Sequence, residues 1–130
     1  MLIRCGTLVL PNAIAHDQCL FVRDGVIVEI AAQFDAPAET HSVDARDHIV
    51  MPGFIDTHVH GAMGADTMDA TPEALRAMAQ FFAQHGVTGF LPTTMTATRE
   101  EINAAVQNVA RCQIPQVLGV HIEGPYVNPL

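Results

Sequence analysis

GFIDTHVHG, residues 53 to 61, is apolar at Phe54, Ile55 and Val59 and carries Asp56, His58 and His60 at alternate positions. Strand residues two apart share a face and stand about 6.6 Å apart along the backbone. The stretch is bounded by Pro52-Gly53 and Gly61 and has the length of a strand. Phe54, Asp56, His58 and His60 are therefore expected on one face, with Ile55, Thr57 and Val59 on the other.

Two similar segments follow. Val87 to Thr93 and Val117 to Glu123 begin 33 and 30 residues after the preceding strand start, the length of a strand, a helix and two short loops. Thr71 reads as an N-cap with Pro72 at the first helical position, Leu75, Met78, Ala79 and Phe82 form an apolar stripe, and Gly86 ends the helix. Thr98 with Glu101 makes a capping box ahead of Ile102, Ala105, Val106 and Val109. Strands apolar at nearly every position suit a parallel sheet covered on both sides, so the order is βαβαβ with right-handed crossovers. Pro92 has no donor for a ladder and marks the end of the second strand.

Upstream, residues 2 to 10, 18 to 22 and 26 to 30 are short apolar runs, and Asp24-Gly25 is the composition of a tight hairpin turn. The first fifty residues read as a small antiparallel β unit. Residues 35 to 48 lack periodicity and read as a connection, with His41 and His48 as solvated or strand-edge residues.

In the third strand Val117, Gly119, His121 and Glu123 share a face, leaving Leu118, Val120 and Ile122 for the helix layer. The two polar sets then face a common interior, where a divalent cation is the economical way to satisfy imidazoles and a carboxylate. His58, His60 and Glu123 lie at the carboxyl ends of their strands, where α/β folds place their sites. Zn²⁺ suits this donor set, with Fe²⁺, Co²⁺ and Mn²⁺ left open because residue type alone fixes no selectivity. Asp56, deeper in its strand, reads as a group that bonds backbone or supports a ligand. His121 has two readings, orienting a substrate or ligand and being a satisfied interior histidine. Tyr126 and Asn128 sit in the rim loop EGPYVNP, either touching a ligand or packing; His85 reads as a helix C-terminal residue interacting with the dipole. The glycines of HGAMGAD, residues 60 to 66, read as a tight loop and not as a phosphate cradle.

Composition narrows the function classes. The chain has a net charge of -8, with 14 acidic residues against 6 basic ones, and it lacks a basic patch, which excludes nucleic acid and anionic membrane surfaces as expected partners. Cys5, Cys19 and Cys112 show no CxxC spacing and read as buried or half-buried thiols of a reducing compartment. The N-terminus has neither a signal-peptide pattern nor a membrane-length apolar run, so the cytoplasm is the expected location.

Through PGFIDTHVHGAMGADTMDAT at 52 to 71, FLPTT at 90 to 94 and LGVHIEGPYVNP at 118 to 129, the chain resembles the metal-dependent amidohydrolase superfamily, and within it the N-acetylglucosamine-6-phosphate deacetylase family. PGFIDxHxH alone marks the superfamily; its spacing from HIEGP points to the deacetylases. The resemblance implies an α/β fold, a (β/α)8 TIM barrel of amidohydrolase type with a small β-sandwich domain. Residues 1–50 would be the N-terminal part of the β domain, and 51–130 the first βαβαβ portion, about three barrel strands. It further implies Glu123 as the principal metal ligand with His58 and His60, one or two divalent ions, and hydrolysis of the acetamide of N-acetylglucosamine 6-phosphate in amino-sugar catabolism. Two more histidine ligands and the proton-handling aspartate would lie beyond residue 130. The chain is thus expected to be an inactive piece completed by a C-terminal remainder, and the whole enzyme a homodimer.

Two other readings compete. Dihydroorotase- and hydantoinase-type amidohydrolases share the DxHxH strand but use a carboxylated lysine, and this chain has no lysine. A non-catalytic fold fragment is the remaining alternative.

Overall fold

The computed structural model describes residues 1–33, 35, 37 and 39–128. It divides into two units, Met1–Pro52 and Gly53–Leu130.

In the first unit β1 (Leu2–Leu10), β2 (Ala13–Arg23), β3 (Val26–Ala31) and β4 (Ser42–Val50) form one sheet in the order β3-β2-β1-β4. Asp24 and Gly25 both have positive φ, 52° and 77°, which matches the twist of the β2–β3 hairpin. Cys5, Leu8 and Leu20 are buried together, with Ile3, Leu10 and Val50 packed on them. Burial pushes the Cys5 thiol up from its ordinary pKa.

Two expectations need correction here. The sheet is mixed, because β4 pairs parallel to β1 while β1–β2 and β2–β3 are antiparallel. Half of the 35–48 stretch, Ser42 to His48, belongs to that strand, so His48 lies in β4 and His41 just before it. Seven of the nine β4 residues are exposed, so the strand is held by backbone pairing along a sheet edge and shows no apolar alternation in sequence. Within 35 to 48, positions 36 and 38 lie outside the described residues.

The second unit contains β5 (Phe54–Val59), a small hairpin of β6 (Gly61–Ala62) and β7 (Ala65–Asp66), a 3-10 turn (Thr67–Asp69), α1 (Pro72–Gln84), β8 (Val87–Pro92) and α2 (Arg99–Arg111). The HGAMGAD loop is therefore a hairpin running into a turn capped by Asp66. β5 and β8 are parallel. The Thr71 side chain accepts from the Ala74 N–H, and both halves of the Thr98–Glu101 capping box are formed. That box holds the Glu101 carboxyl below the ordinary carboxylate range, because the Thr98 hydroxyl and N–H both donate to it.

Leu75, Met78, Ala79, Phe82, Phe90 and Val109 make the core of this unit. Phe82 and Phe90 meet edge to face, with ring centroids 4.9 Å apart. Burying each such side chain contributes about 1.5–3 kcal/mol. Among the described residues no helix is long and apolar enough to cross a membrane.

The third expected strand, Val117 to Glu123, is not continuous. It touches β8 through two isolated parallel bridges, Phe90 with Val117 and Thr93 with His121. Phe90 donates to the Gln116 carbonyl at 2.8 Å and accepts from the Leu118 N–H at 3.0 Å. The next rung would need an N–H at position 92, and proline has none. The ladder resumes when the His121 N–H donates to the Pro92 carbonyl at 3.0 Å.

The apolar face expected of the outer strands is only partly buried. Val59 and Val120 pack on the core, joined by Val117 from the opposite expected face, whereas Ile55, Leu118 and Ile122 are exposed. The reason is that α1 packs chiefly on β6, β7 and β8, and covers the centre of this sheet more than its flanks.

Candidate metal centre

His58 lies in β5 and His60 follows directly after its last residue, and their side chains point to one place. His58 Nε2 lies 3.3 Å from His60 Nε2. Glu123 Oε2 comes in from the segment on the far side of β8, 2.8 Å from His58 Nε2 and 3.5 Å from His60 Nε2. Three donor atoms thus lie within 4.8 Å of one another. Zinc bonds of about 2.0–2.2 Å place adjacent tetrahedral donors about 3.4 Å apart, so the triad has the spacing of one face of a coordination polyhedron.

The electrostatics agree with that use. The side chains are 48% (His58), 33% (His60) and 34% (Glu123) exposed, open enough for an ion or substrate to reach. As a plain ion pair at such exposure the triad would contribute about 0–1 kcal/mol. Stability alone therefore does not account for two imidazoles and a carboxylate sharing one point. A donor set of two neutral imidazoles and one carboxylate suits a divalent metal.

The ring orientation is fixed by backbone. His60 Nδ1 lies 3.2 Å from the Thr93 carbonyl oxygen, which can only accept, so Nδ1 donates to it and Nε2 is the ring nitrogen that faces the triad. Asp56 Oδ1 accepts from the His58 N–H at 3.0 Å, bonding backbone beside the ligand pair. His121 donates from Nδ1 to the Thr57 carbonyl at 2.9 Å, tying the 117–123 segment to β5. Its ring stands 4.5 Å from that of His58, centroid to centroid, and outside the donor triad. Tyr126 is 99% exposed and Asn128 is exposed; Pro129 lies outside the described residues. His85 caps the C-terminus of α1 against Phe81, away from this cluster.

Three buried threonines at the site, Thr67, Thr93 and Thr94, are given no site role by the sequence reading. Thr67 donates its hydroxyl to the His60 carbonyl at 2.8 Å, and its N–H bonds the same oxygen at 2.8 Å. Thr93 and Thr94 follow β8, both fully buried. Their signal was available in FLPTT: two hydroxyls directly after a core strand need partners, and at a strand's carboxyl end those partners lie beside the site.

The model of the amidohydrolase family matches residues 49–130. The N-acetylgalactosamine-6-phosphate deacetylase of Escherichia coli O157:H7 is 39% identical over 98% of this chain and 34% of the relative. The N-acetylglucosamine-6-phosphate deacetylase of Vibrio furnissii is 36% identical over 85% of this chain and 29% of the relative. The crystal structure of N-acetylglucosamine-6-phosphate deacetylase from Pasteurella multocida superposes with a TM-score of 0.88 at 25% identity, covering 98% of this chain and 35% of that one. The fold described above is accordingly a partial amidohydrolase-type fold. The chain spans about a third of the length of the relatives it matches.

Proposed function

The chain belongs to the amidohydrolase family, and on that premise we propose that it carries the metal-binding part of an enzyme that hydrolyses the acetamide of an N-acetylhexosamine 6-phosphate. The products are the free amino sugar phosphate and acetate. The observation that carries this reading is the convergence of His58, His60 and Glu123 within 4.8 Å at one end of the strands.

In this reading His58 and His60 each offer Nε2, and Glu123 offers Oε2, to a divalent cation, with zinc the first choice and iron, cobalt or manganese as substitutes. A cation held there supplies Lewis acidity to the acetyl carbonyl and a water of lowered pKa. The chain's own contribution is orientation. Thr93 holds the His60 ring through Nδ1, and Asp56 holds the His58 backbone. Tyr126 and Asn128, both exposed, are the residues of this chain that would contact the sugar in this reading. The proton that the departing amine needs comes from a group outside these residues, so the described chain alone is inactive in this reading. The whole enzyme is taken to be a cytoplasmic homodimer.

N-acetylglucosamine 6-phosphate is the substrate we favour, on the names of the relatives from Vibrio furnissii and Bacillus subtilis. The galactosamine epimer is the second reading, favoured by the Escherichia coli O157:H7 relative. Acetate release from each sugar phosphate by the full-length gene product, metal-depleted and then reloaded with zinc, tests both. Release restored by metal is expected; no release from either sugar at full metal loading refutes the proposal. Metal analysis and sedimentation of the same preparation read the ion and the oligomer.

A further inference from the structure

The ligands come from two segments that are not neighbours. β5 carries His58 with His60 directly after it, the 117–123 segment carries Glu123, and β8 lies between them. Main-chain pairing does little for Glu123, because the ladder loses its register at Pro92 and its last bridge is at His121.

The dipeptide Thr93-Thr94, directly after β8, occupies that gap. Toward β5, Thr93 Oγ1 accepts from the Val59 N–H at 3.0 Å, at the residue between the two histidines. The Thr93 N–H donates to the Val59 carbonyl at 2.8 Å, and the Thr93 carbonyl accepts from His60 Nδ1. Toward the other arm, Thr94 Oγ1 accepts from the Glu123 N–H at 3.0 Å and lies 3.3 Å from the Glu123 carbonyl, to which it donates. One hydroxyl therefore satisfies both main-chain groups of the carboxylate ligand. The Thr94 N–H also donates to the His121 carbonyl at 3.0 Å.

We propose that Thr93-Thr94 is the positioning element of the metal centre, Thr93 setting the histidine arm and Thr94 setting Glu123. This deepens, and rests on, the metal-centre reading above. The hydroxyl is the operative group at position 94: valine has the same shape, but it leaves the Glu123 N–H and carbonyl without a partner and frees the residue to turn. Serine keeps the hydroxyl and loses only a methyl. Groups that orient metal ligands in this way typically change metal affinity by about 10–100-fold when removed.

The test uses the full-length gene product as wild type, Thr94→Val and Thr94→Ser. Co²⁺ affinity is measured by competition with a chromophoric chelator, together with the visible absorption spectrum of the Co²⁺ form and thermal unfolding of the metal-free form. Thr94→Val is expected to bind Co²⁺ about 10–100-fold more weakly with an altered spectrum, while Thr94→Ser keeps wild-type affinity and spectrum. If metal-free Thr94→Val does not fold, Thr94→Ala is measured against the same criteria. Wild-type affinity and spectrum in the variant lacking the hydroxyl overturn the proposal, as does a serine variant as weak as the valine one. A wild-type protein that takes up no Co²⁺ overturns the metal-centre reading itself, and the positioning role with it.

Discussion

Replacing Gly124 by alanine adds one methyl directly after Glu123, and the structure says what that methyl meets. Gly124 has φ +81°, and a Cβ there would lie 2.5 Å from Thr96 Oγ1, 3.0 Å from Thr96 Cα and 3.2 Å from Thr96 Cβ. The hydroxyl can rotate away; the main-chain Cα cannot. Left-handed backbone costs a non-glycine residue about 1–2 kcal/mol. A gain of about 0.4–1 kcal/mol from a stiffer unfolded chain offsets part of this. Crowding a packed site adds about 1–3 kcal/mol. The net cost is about 3 kcal/mol.

Gly64 isolates the steric part. It has φ +77° with nothing within 4 Å of its would-be Cβ, so Gly64→Ala meets the conformational cost alone, about 1 kcal/mol net. Denaturant unfolding of both variants, paired with Co²⁺ affinity, reads the difference. If residue 124 resists, Gly124→Ala loses about 2 kcal/mol more stability than Gly64→Ala; if it yields, Glu123 moves and affinity falls by up to about 30-fold. A Gly124→Ala protein matching Gly64→Ala in both measurements would show that the Thr96 contact does not constrain the Glu123 backbone.

Phe90→Ala empties the fully buried centre of the second unit, against Phe82, and should cost about 3–5 kcal/mol in denaturant unfolding; a loss below about 1 kcal/mol would mean that the core collapses around the gap. The Glu101 carboxylate is stabilised by Thr98, so its folded pKa lies below its unfolded one, and its contribution is present above the ordinary carboxylate range and lost as pH falls through the lowered value. Thermal unfolding should therefore separate wild type from Glu101→Gln at neutral pH, with the gap closing on acidification; a gap constant with pH would refute the assignment.

Much of this structure was legible because it is written in side chains. Thr71-Pro72, Thr98 with Glu101, and the stripes Leu75-Met78-Ala79-Phe82 and Ile102-Ala105-Val109 fix α1 and α2 locally, and they reappear as caps and core. The alternation Asp56-His58-His60 marks a strand face, and its two histidines meet Glu123. What escaped depends on the main chain. β4 carries Asp44, Arg46, Asp47 and His48 outward along a sheet edge, so its strand character resides in its pairing with β1 and not in its pattern. The exposed Ile55, Leu118 and Ile122 escaped for a related reason: alternation says which residues share a face, but not whether a helix lies over that face.

The site also shows why its irregularities fall where they do. Adjacent strands stand about 4.8 Å apart, so two segments flanking β8 are separated by nearly 10 Å at the backbone. Yet Glu123 Oε2 and His58 Nε2 come within 2.8 Å. Long side chains supply most of that reach, and a regular ladder on both sides of β8 would hold the two backbones at full spacing. Instead the β5–β8 register shifts between Asp56 and Val59, and the ladder on the other side slips at Pro92. Each break frees main-chain groups next to a ligand. Threonine hydroxyls then take them up, Thr93 at the Val59 N–H and Thr94 at the Glu123 N–H, and among the described residues no buried side-chain nitrogen or oxygen is left unpaired.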